Sequence, residues 1–188
     1  MKKKKITPLF IAVPLLLALL AACSHKGSEQ PLPTQSGVDL KRYAGTWYEQ
    51  ARLPNSFQDH CVGQARADYE LIGDDRLEVV NRCENKEGNV DAAVGVGRVA
   101  RSSEPDPAIL EIRFAPAWTS WLPAVWGDYW IISTDYEYSL VGTPDRKYLW
   151  VLSRDTEASS ARVNELLQTA EKLGFDTGAV IRPEKSKQ

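Results

Sequence analysis

Histidine is almost absent from this 188-residue chain: His25 and His60 are the only two. No histidine pair falls on any strand-like run and no Gly-x-Ser-x-Gly occurs, which removes the usual nucleophile-elbow and His-based metal chemistries. Cysteine is equally sparse, with Cys23, Cys61 and Cys83 only. Basic residues are in no excess, at 23 Lys+Arg against 25 Asp+Glu. Setting aside residues 1–22, which hold four lysines and no acids, leaves 19 against 25, a net charge of -6. Such a domain has no basic footprint for nucleic acid. No apolar run reaches the roughly 20 residues of a membrane span, because the stretch Leu9 to Leu20 is short and Pro14 interrupts it. No cofactor motif is present, and neither metal ligands nor catalytic residues are expected.

What the N-terminus does contain is an export pattern. Lys2 to Lys5 form a charged start, the apolar stretch follows, and Leu20-Ala21-Ala22-Cys23 ends it with small residues. This run resembles the lipobox of bacterial lipoproteins. The resemblance implies cleavage before Cys23, a diacylglycerol on its sulfur and an acylated amino group, so that several acyl chains anchor the domain. Ser24 at the second mature position implies the outer membrane, with the domain facing the periplasm. The competing reading is an ordinary cleaved signal with an incidental cysteine. Export would leave Cys61 and Cys83 to pair in an oxidising compartment, free thiols being the alternative.

The organisation that follows is a signal at 1–22, an acylated flexible tether at 23–37 with Pro31 and Pro33, one domain at 38–182 and a disordered tail at 183–188. Within the domain, eight runs of strand character are expected at 46–53, 62–72, 76–83, 89–100, 108–115, 128–134, 136–142 and 147–154. Turn clusters such as Gly73-Asp74-Asp75 and Gly142-Thr143-Pro144-Asp145 separate them, and no parallel crossover is required. Val163, Leu166, Leu167, Ala170 and Leu173 recur at helical spacing, which predicts a helix near 159–173 with Ser159 or Ser160 as its cap. The fold class is all-β, an antiparallel sandwich or barrel, and eight strands plus one helix outline a small closed barrel. At that size the interior is either filled or holds one small ligand.

Three motifs in order then carry a resemblance. Asp39-Leu40-Lys41-Arg42-Tyr43-Ala44-Gly45-Thr46-Trp47-Tyr48-Glu49, Thr134-Asp135-Tyr136 and Arg154 resemble the three signatures of lipocalins, and the likeness is greatest to bacterial outer membrane lipocalins. The resemblance implies an eight-stranded up-and-down barrel (lipocalin/calycin) with the C-terminal helix packed outside. If strand one starts and strand eight ends at one barrel end, Trp47 plugs the floor under the Arg154 guanidinium. That is a structural role, worth about 0.5–2 kcal/mol as a cation–π contact. The loops after strands one, three, five and seven then surround the mouth. Two of them stand out, 54–61 with Phe57 and 116–126 with Trp118, Trp121 and Trp126, as rings folded inward or as a gate touching lipid.

Alternation from Trp47 points Glu49 and Ala51 inward, and counting back from Arg154 does the same for Leu152 and Trp150. Leu110, Ile112, Phe114, Trp130 and Ile132 complete the expected lining, with Tyr136, Tyr138 and Leu140 subject to the phase of the preceding turn. A short turn at Gly73 to Asp75 sets Cys83 opposite residue 65 or 66, so pairing with Cys61 requires the preceding loop to curl back. The family likeness implies binding of a hydrophobic or amphipathic ligand, a fatty acid or lysophospholipid. The partner candidates are that ligand, the membrane through Cys23, and a second copy of the chain. The alternatives are a ligand-free structural envelope lipoprotein, or an enzyme using Glu49 as a buried acid or base.

Overall fold

Eight antiparallel strands follow one another in sequence order and the last closes on the first, so that no edge is left unpaired. The computed structural model describes residues 30–102 and 104–183. The signal run, Cys23, the first part of the expected tether and the tail from residue 184 lie outside these. The strands are β1 (Gly45–Arg52), β2 (Cys61–Leu71), β3 (Arg76–Asn85), β4 (Val90–Val99), β5 (Ile109–Arg113), β6 (Gly127–Thr134), β7 (Tyr138–Gly142) and β8 (Leu149–Ser153). A short helix α1 (Leu40–Tyr43) precedes them and α2 (Ser160–Lys172) follows. The closed all-β barrel with one C-terminal helix therefore matches the expectation, with strand ends displaced by a few residues.

The floor is assembled by the three motifs. Asp39 caps α1 by accepting from the amides of Lys41 (2.8 Å) and Arg42, which turns Leu40 and Tyr43 into the barrel. Trp47 is fully buried and donates from Nε1 to the Tyr43 carbonyl at 2.8 Å. The Arg154 guanidinium lies over its ring, 3.9 Å from the centroid. Arg154 also donates to the carbonyls of Arg42 (2.9 Å), Tyr43 (3.1 Å), Ala44 (2.8 Å), Thr46 (2.8 Å) and Tyr136 (3.1 Å). Gly45 has φ +99, and a Cβ there would stand 3.1 Å from an Arg154 nitrogen, so this position needs glycine for both conformation and space. At the Thr134-Asp135-Tyr136 turn, Asp135 accepts from the amides of Glu137 (3.0 Å) and Tyr138 (2.6 Å) and from Arg162 (2.9 Å). The Tyr136 hydroxyl accepts from the Asp39 amide at 2.9 Å, and Arg42 stacks on its ring.

Two cores result. Tyr43, Trp47, Leu77, Val79, Leu110, Ile131 and their neighbours fill the lower barrel. A second cluster lies between the outer face of the sheet and α2, where Val163, Leu166, Leu167 and Ala170 meet Ile132, Leu140, Leu149 and Val151. Ser159 occupies the α2 cap position but makes no side-chain cap bond; its amide donates to the Tyr138 hydroxyl at 3.1 Å instead. The stretch expected as tether is laid on the barrel from Pro31 onward. Leu32 is buried in the helix-side cluster and the Gln35 amide donates to the Ile131 carbonyl at 2.9 Å. Ile181 exchanges backbone hydrogen bonds with Arg52, which fixes the piece after α2.

Cys61 and Cys83 form a disulfide with Cα atoms 5.5 Å apart. The loop does not curl back; the strand itself slips. Between the pairs Val62 with Glu84 and Arg66 with Arg82, β2 spends more residues than β3, and Gly63 takes φ +69 within that bulge. The slip sets Cys61 opposite Asn85, close enough to reach Cys83.

Replacing Trp47 by Ala is expected to cost about 3–5 kcal/mol in urea unfolding; unchanged unfolding would remove the floor plug from this account. Replacing both Cys61 and Cys83 by Ser opens a 22-residue separation and should cost about 3 kcal/mol by chain entropy, again read from urea unfolding. Burial alone would raise the Asp135 carboxyl, but the bonds from Tyr138, Arg162 and Glu137 outweigh it and hold it below the ordinary aspartate range. A depressed folded value means stability that is complete above the unfolded pKa of about 3.9 and fades as pH falls through the folded one. Asp135→Asn should therefore flatten the loss of stability on acidification below that value, and an unaltered acid limb would contradict the assignment.

Candidate functional site

The upper half of the barrel is hollow because of what β2 and β4 place inside it. Ala65 on β2 and Ala93, Gly95 and Gly97 on β4 point inward where β3 carries Leu77, Val79 and Cys83. Above the packed floor they leave a cavity of about 700 Å³ that opens between the loops at the mouth. Tyr69 and Tyr129 form its base. The Tyr69 hydroxyl donates to that of Tyr129 (2.9 Å), and Tyr43 links Tyr129 to Ser139, both at 3.0 Å. Burial pushes the Tyr43 hydroxyl up to about 12 and those of Tyr69 and Tyr129 well above the ordinary range. These phenols stay neutral and satisfy one another, so the base presents ring surface rather than charge.

Three aromatic rings stand together at the mouth. Phe57 lies 5.5 Å from Tyr148 and 6.2 Å from Trp150, and Tyr148 stacks on Trp150 at 6.1 Å. Asn55 holds this group by accepting from the Gln58 amide at 2.9 Å, while the Gln58 side chain accepts from Trp150 Nε1 at 3.0 Å. On the opposite loop, Trp126 lines the cavity, covered by the guanidinium of Arg98 at 3.7 Å and tied through Nε1 to the Ser120 carbonyl at 2.9 Å. Trp118 and Trp121 neither line nor close the cavity; they are 77 % and 75 % exposed.

Asp91, Asp145 and His60 bring ionisable groups to the lining, whereas the Arg82 and Asp128 side chains lie on the outer face of the wall, Asp128 directly across from Glu111. Arg82 is engaged by Asp68, and His60 sits 3.6 Å from Asp91. Asp145 accepts from the Thr143 hydroxyl (2.7 Å) and pairs with Lys147 (3.0 Å). Burial, reinforced by the carboxylates of Glu111 and Asp145, pushes the Asp128 carboxyl up despite Trp130 beside it. His60 Nε2 is 3.7 Å from Cys61 Sγ and 3.9 Å from Cys83 Sγ. These three could surround a metal by position, but the sulfurs are bonded to each other and offer no thiolate.

Of the residues expected to line a pocket, Ile112, Phe114 and Trp150 do, together with Phe57 and Trp126 from the mouth loops. Leu110 and Leu152 belong to the packed layer of the lower barrel. Ala51, Trp130, Ile132, Tyr138 and Leu140 lie instead on the outer, helix-side cluster. For Ala51 the reason is a bulge at Gln50, which shifts the register with β8 and reverses the phase. For β6 and β7 both faces are buried, so Ile131 faces in and Ile132 out with no polar residue to mark the difference. Glu49 is 3 % exposed and does not line the cavity. It pairs with Arg52 at 2.7 Å and accepts from Gln58 at 2.8 Å, which makes it a satisfied core carboxylate. The tyrosine base, Asp91 and Tyr148 escape the sequence reading, although the alternating small residues of β4 already mark where the space is.

A model of the lipocalin-like domain matches residues 38–185. The chain is 33% identical to the outer membrane lipoprotein Blc of Escherichia coli (strain K12), over 87% of this chain and 88% of that one. It is 32% identical to temperature-induced lipocalin-1 of Arabidopsis thaliana, over 80% and 81%. Among solved structures, lobster apocrustacyanin A1 superposes with a TM-score of 0.61 at 18% identity, covering 84% of this chain and 92% of that one. With the barrel, its outer helix and the three motifs meeting at one floor, these matches establish that the chain belongs to the lipocalin-like family.

Proposed function

We propose that this protein is a lipid-anchored lipocalin of the bacterial outer membrane that binds a small hydrophobic or amphipathic molecule, of the fatty acid or lysophospholipid kind, in its barrel cavity. The observation that carries this reading is the open cavity of about 700 Å³ above a sealed floor, within the roughly 300–1,000 Å³ of small-molecule pockets. Its walls are Ala65, Ala93, Ile112 and aromatic rings, suited to an alkyl chain. The Leu20-Ala21-Ala22-Cys23 run supports the anchor, and the similarity to proteins named outer membrane lipoprotein supports the location. Trp118 and Trp121, side by side on a loop without charge, suit a surface that meets lipid at the mouth. A purely structural lipoprotein would have no use for the hollow, and the closure of Glu49 by Arg52 and Gln58 speaks against the enzymatic reading.

The test is direct. Organic extraction of the purified protein followed by mass spectrometry should recover a lipid, and titration with lysophospholipid should quench tryptophan fluorescence saturably. Ala93→Phe fills open space rather than packed core, so it should weaken binding by about tenfold or more while leaving the melting temperature nearly unchanged. No saturable response in the parent protein would refute the binding role.

A further inference from the structure

We infer that the barrel stands mouth-down on the bilayer that holds its anchor, with Trp118 and Trp121 seated at the level of the lipid head groups, so that ligand passes between membrane and cavity without crossing water. This inference rests on the proposed anchor and binding role, and adds the face that docks and the route by which the same cavity fills. The two ends of the barrel differ in kind. Among the described residues, every exposed phenylalanine and tryptophan is at the mouth: Phe57, Phe114, Trp118 and Trp121. From Phe114 to Gly127 the chain carries no charge, so laying this loop on lipid desolvates no ion.

The loop holds its two outer rings in place. Trp126 is folded under the guanidinium of Arg98 at 3.7 Å and lies 5.2 Å from that of Arg113, while its Nε1 donates to the Ser120 carbonyl. Two short turns of helix, Ala117–Thr119 and Pro123–Val125, follow one another, and the buried Thr119 donates its hydroxyl to the Pro116 carbonyl at 2.6 Å. Trp118 and Trp121 flank this fixed turn and remain in solvent. Among the described residues neither indole N–H has a hydrogen-bond partner. A large ring left in water, with an N–H still to be satisfied, is the side chain that favours the boundary between lipid and water.

Charge selects the same end. At the floor, in the connections after β2, β4 and β8, the acids Asp74, Asp75, Glu104, Asp106, Asp155 and Glu157 outnumber the cations. Lipid phosphates repel such an end. In the mouth loops Lys86, Arg146 and Lys147 balance Asp59, Glu87 and Asp145. Chain length brings the membrane within reach. Only seven residues separate Cys23 from Gln30, where the described domain begins, a span of at most about 25 Å. The segment that follows is laid against β6, the Gln35 amide donating to the Ile131 carbonyl. Ile131 is four residues from Gly127, where the tryptophan loop ends, about 13 Å along the strand. A chain anchored through Cys23 therefore keeps this loop beside a lipid surface at all times, which favours the bilayer over a protein as its occupant.

The acylated chain, reconstituted into vesicles of phosphatidylethanolamine and phosphatidylglycerol with part of the lipid brominated near the top of its acyl chains, provides the test. Its tryptophan emission should be quenched. Trp118→Ser with Trp121→Ser should remove most of that quenching and leave the melting temperature unchanged, because both rings are exposed. Uptake of a pyrene-labelled lysophospholipid from donor vesicles should slow severalfold in the same variant, with the amount bound at equilibrium unaltered. Unquenched emission from the vesicle-bound parent protein, or quenching that persists in the variant, would overturn the docking. Equal uptake rates would overturn the entry route. A cross-linked dimer that the variant abolishes, without quenching by bromine, would assign the face to a second copy of the chain and overturn the inference. Quenching with no probe bound at equilibrium would instead overturn the binding role, and failure of the protein to float with vesicles would overturn the anchor and the docking together.

Discussion

Everything in this barrel hangs from the guanidinium of Arg154. Packing over Trp47 accounts for only one of its faces; its N–H groups reach five carbonyls contributed by α1, the start of β1 and the turn before β7. Those carbonyls end a helix, begin a strand and close a turn, places where backbone acceptors are ordinarily left to water. One side chain with donors in a fixed fork satisfies all of them at once. Floor closure therefore joins segments far apart in sequence, and it does so without filling the space above.

That separation of duties explains how a small barrel stays folded around a hole. Packing is concentrated below, where Tyr43, Trp47, Leu77, Val79 and Leu110 leave no room. The next layer up is polar yet dry: four hydroxyls, on Tyr43, Tyr69, Tyr129 and Ser139, serve one another. A buried hydroxyl without a partner is costly, so this closed set allows the packed core to end and the cavity to begin. Higher still, where side-chain packing no longer contributes, Cys61 and Cys83 hold β2 and β3 together covalently.

How far the sequence disclosed this depends on how many faces each strand buries. Where one face meets water, alternation is informative: Leu110 and Ile112 on β5, and Phe114 just after it, are expected inward and do point inward. Where α2 covers the outside, alternation carries no signal. Ile131 and Ile132, or Leu140 and Val141, are both buried and differ only in which core they join, so the choice of Trp130, Ile132 and Tyr138 as lining fell on the wrong side. Bulges are the second obstacle, since a single extra residue at Gln50 reversed Ala51 and the slip around Gly63 made a disulfide that flat pairing disfavoured. Motifs that act through backbone carbonyls were legible because residue identity alone fixes them: only arginine offers that fork and only glycine fits at position 45.

The barrel is consequently lopsided, and the lopsidedness places the cavity. Strands β6 to β8 with the end of β1 are backed by α2 and the segments around Leu32 and Ile181, so both faces are packed. Among the described residues no helix backs strands β2 to β5, which carry ion pairs on their outer face, Arg66 and Arg82 with Asp68 and Arg98 with Glu111. Half-buried pairs at a surface contribute modestly to stability. The small inward residues fall on this lighter side, as does the disulfide. Its mouth is rimmed by loops whose shape the sheet does not impose, and those loops supply the rings and carboxylates at the opening. A backed wall, a sealed floor and a rim free to vary in chemistry together confine recognition to the one part of the molecule whose side chains are not needed to hold it up.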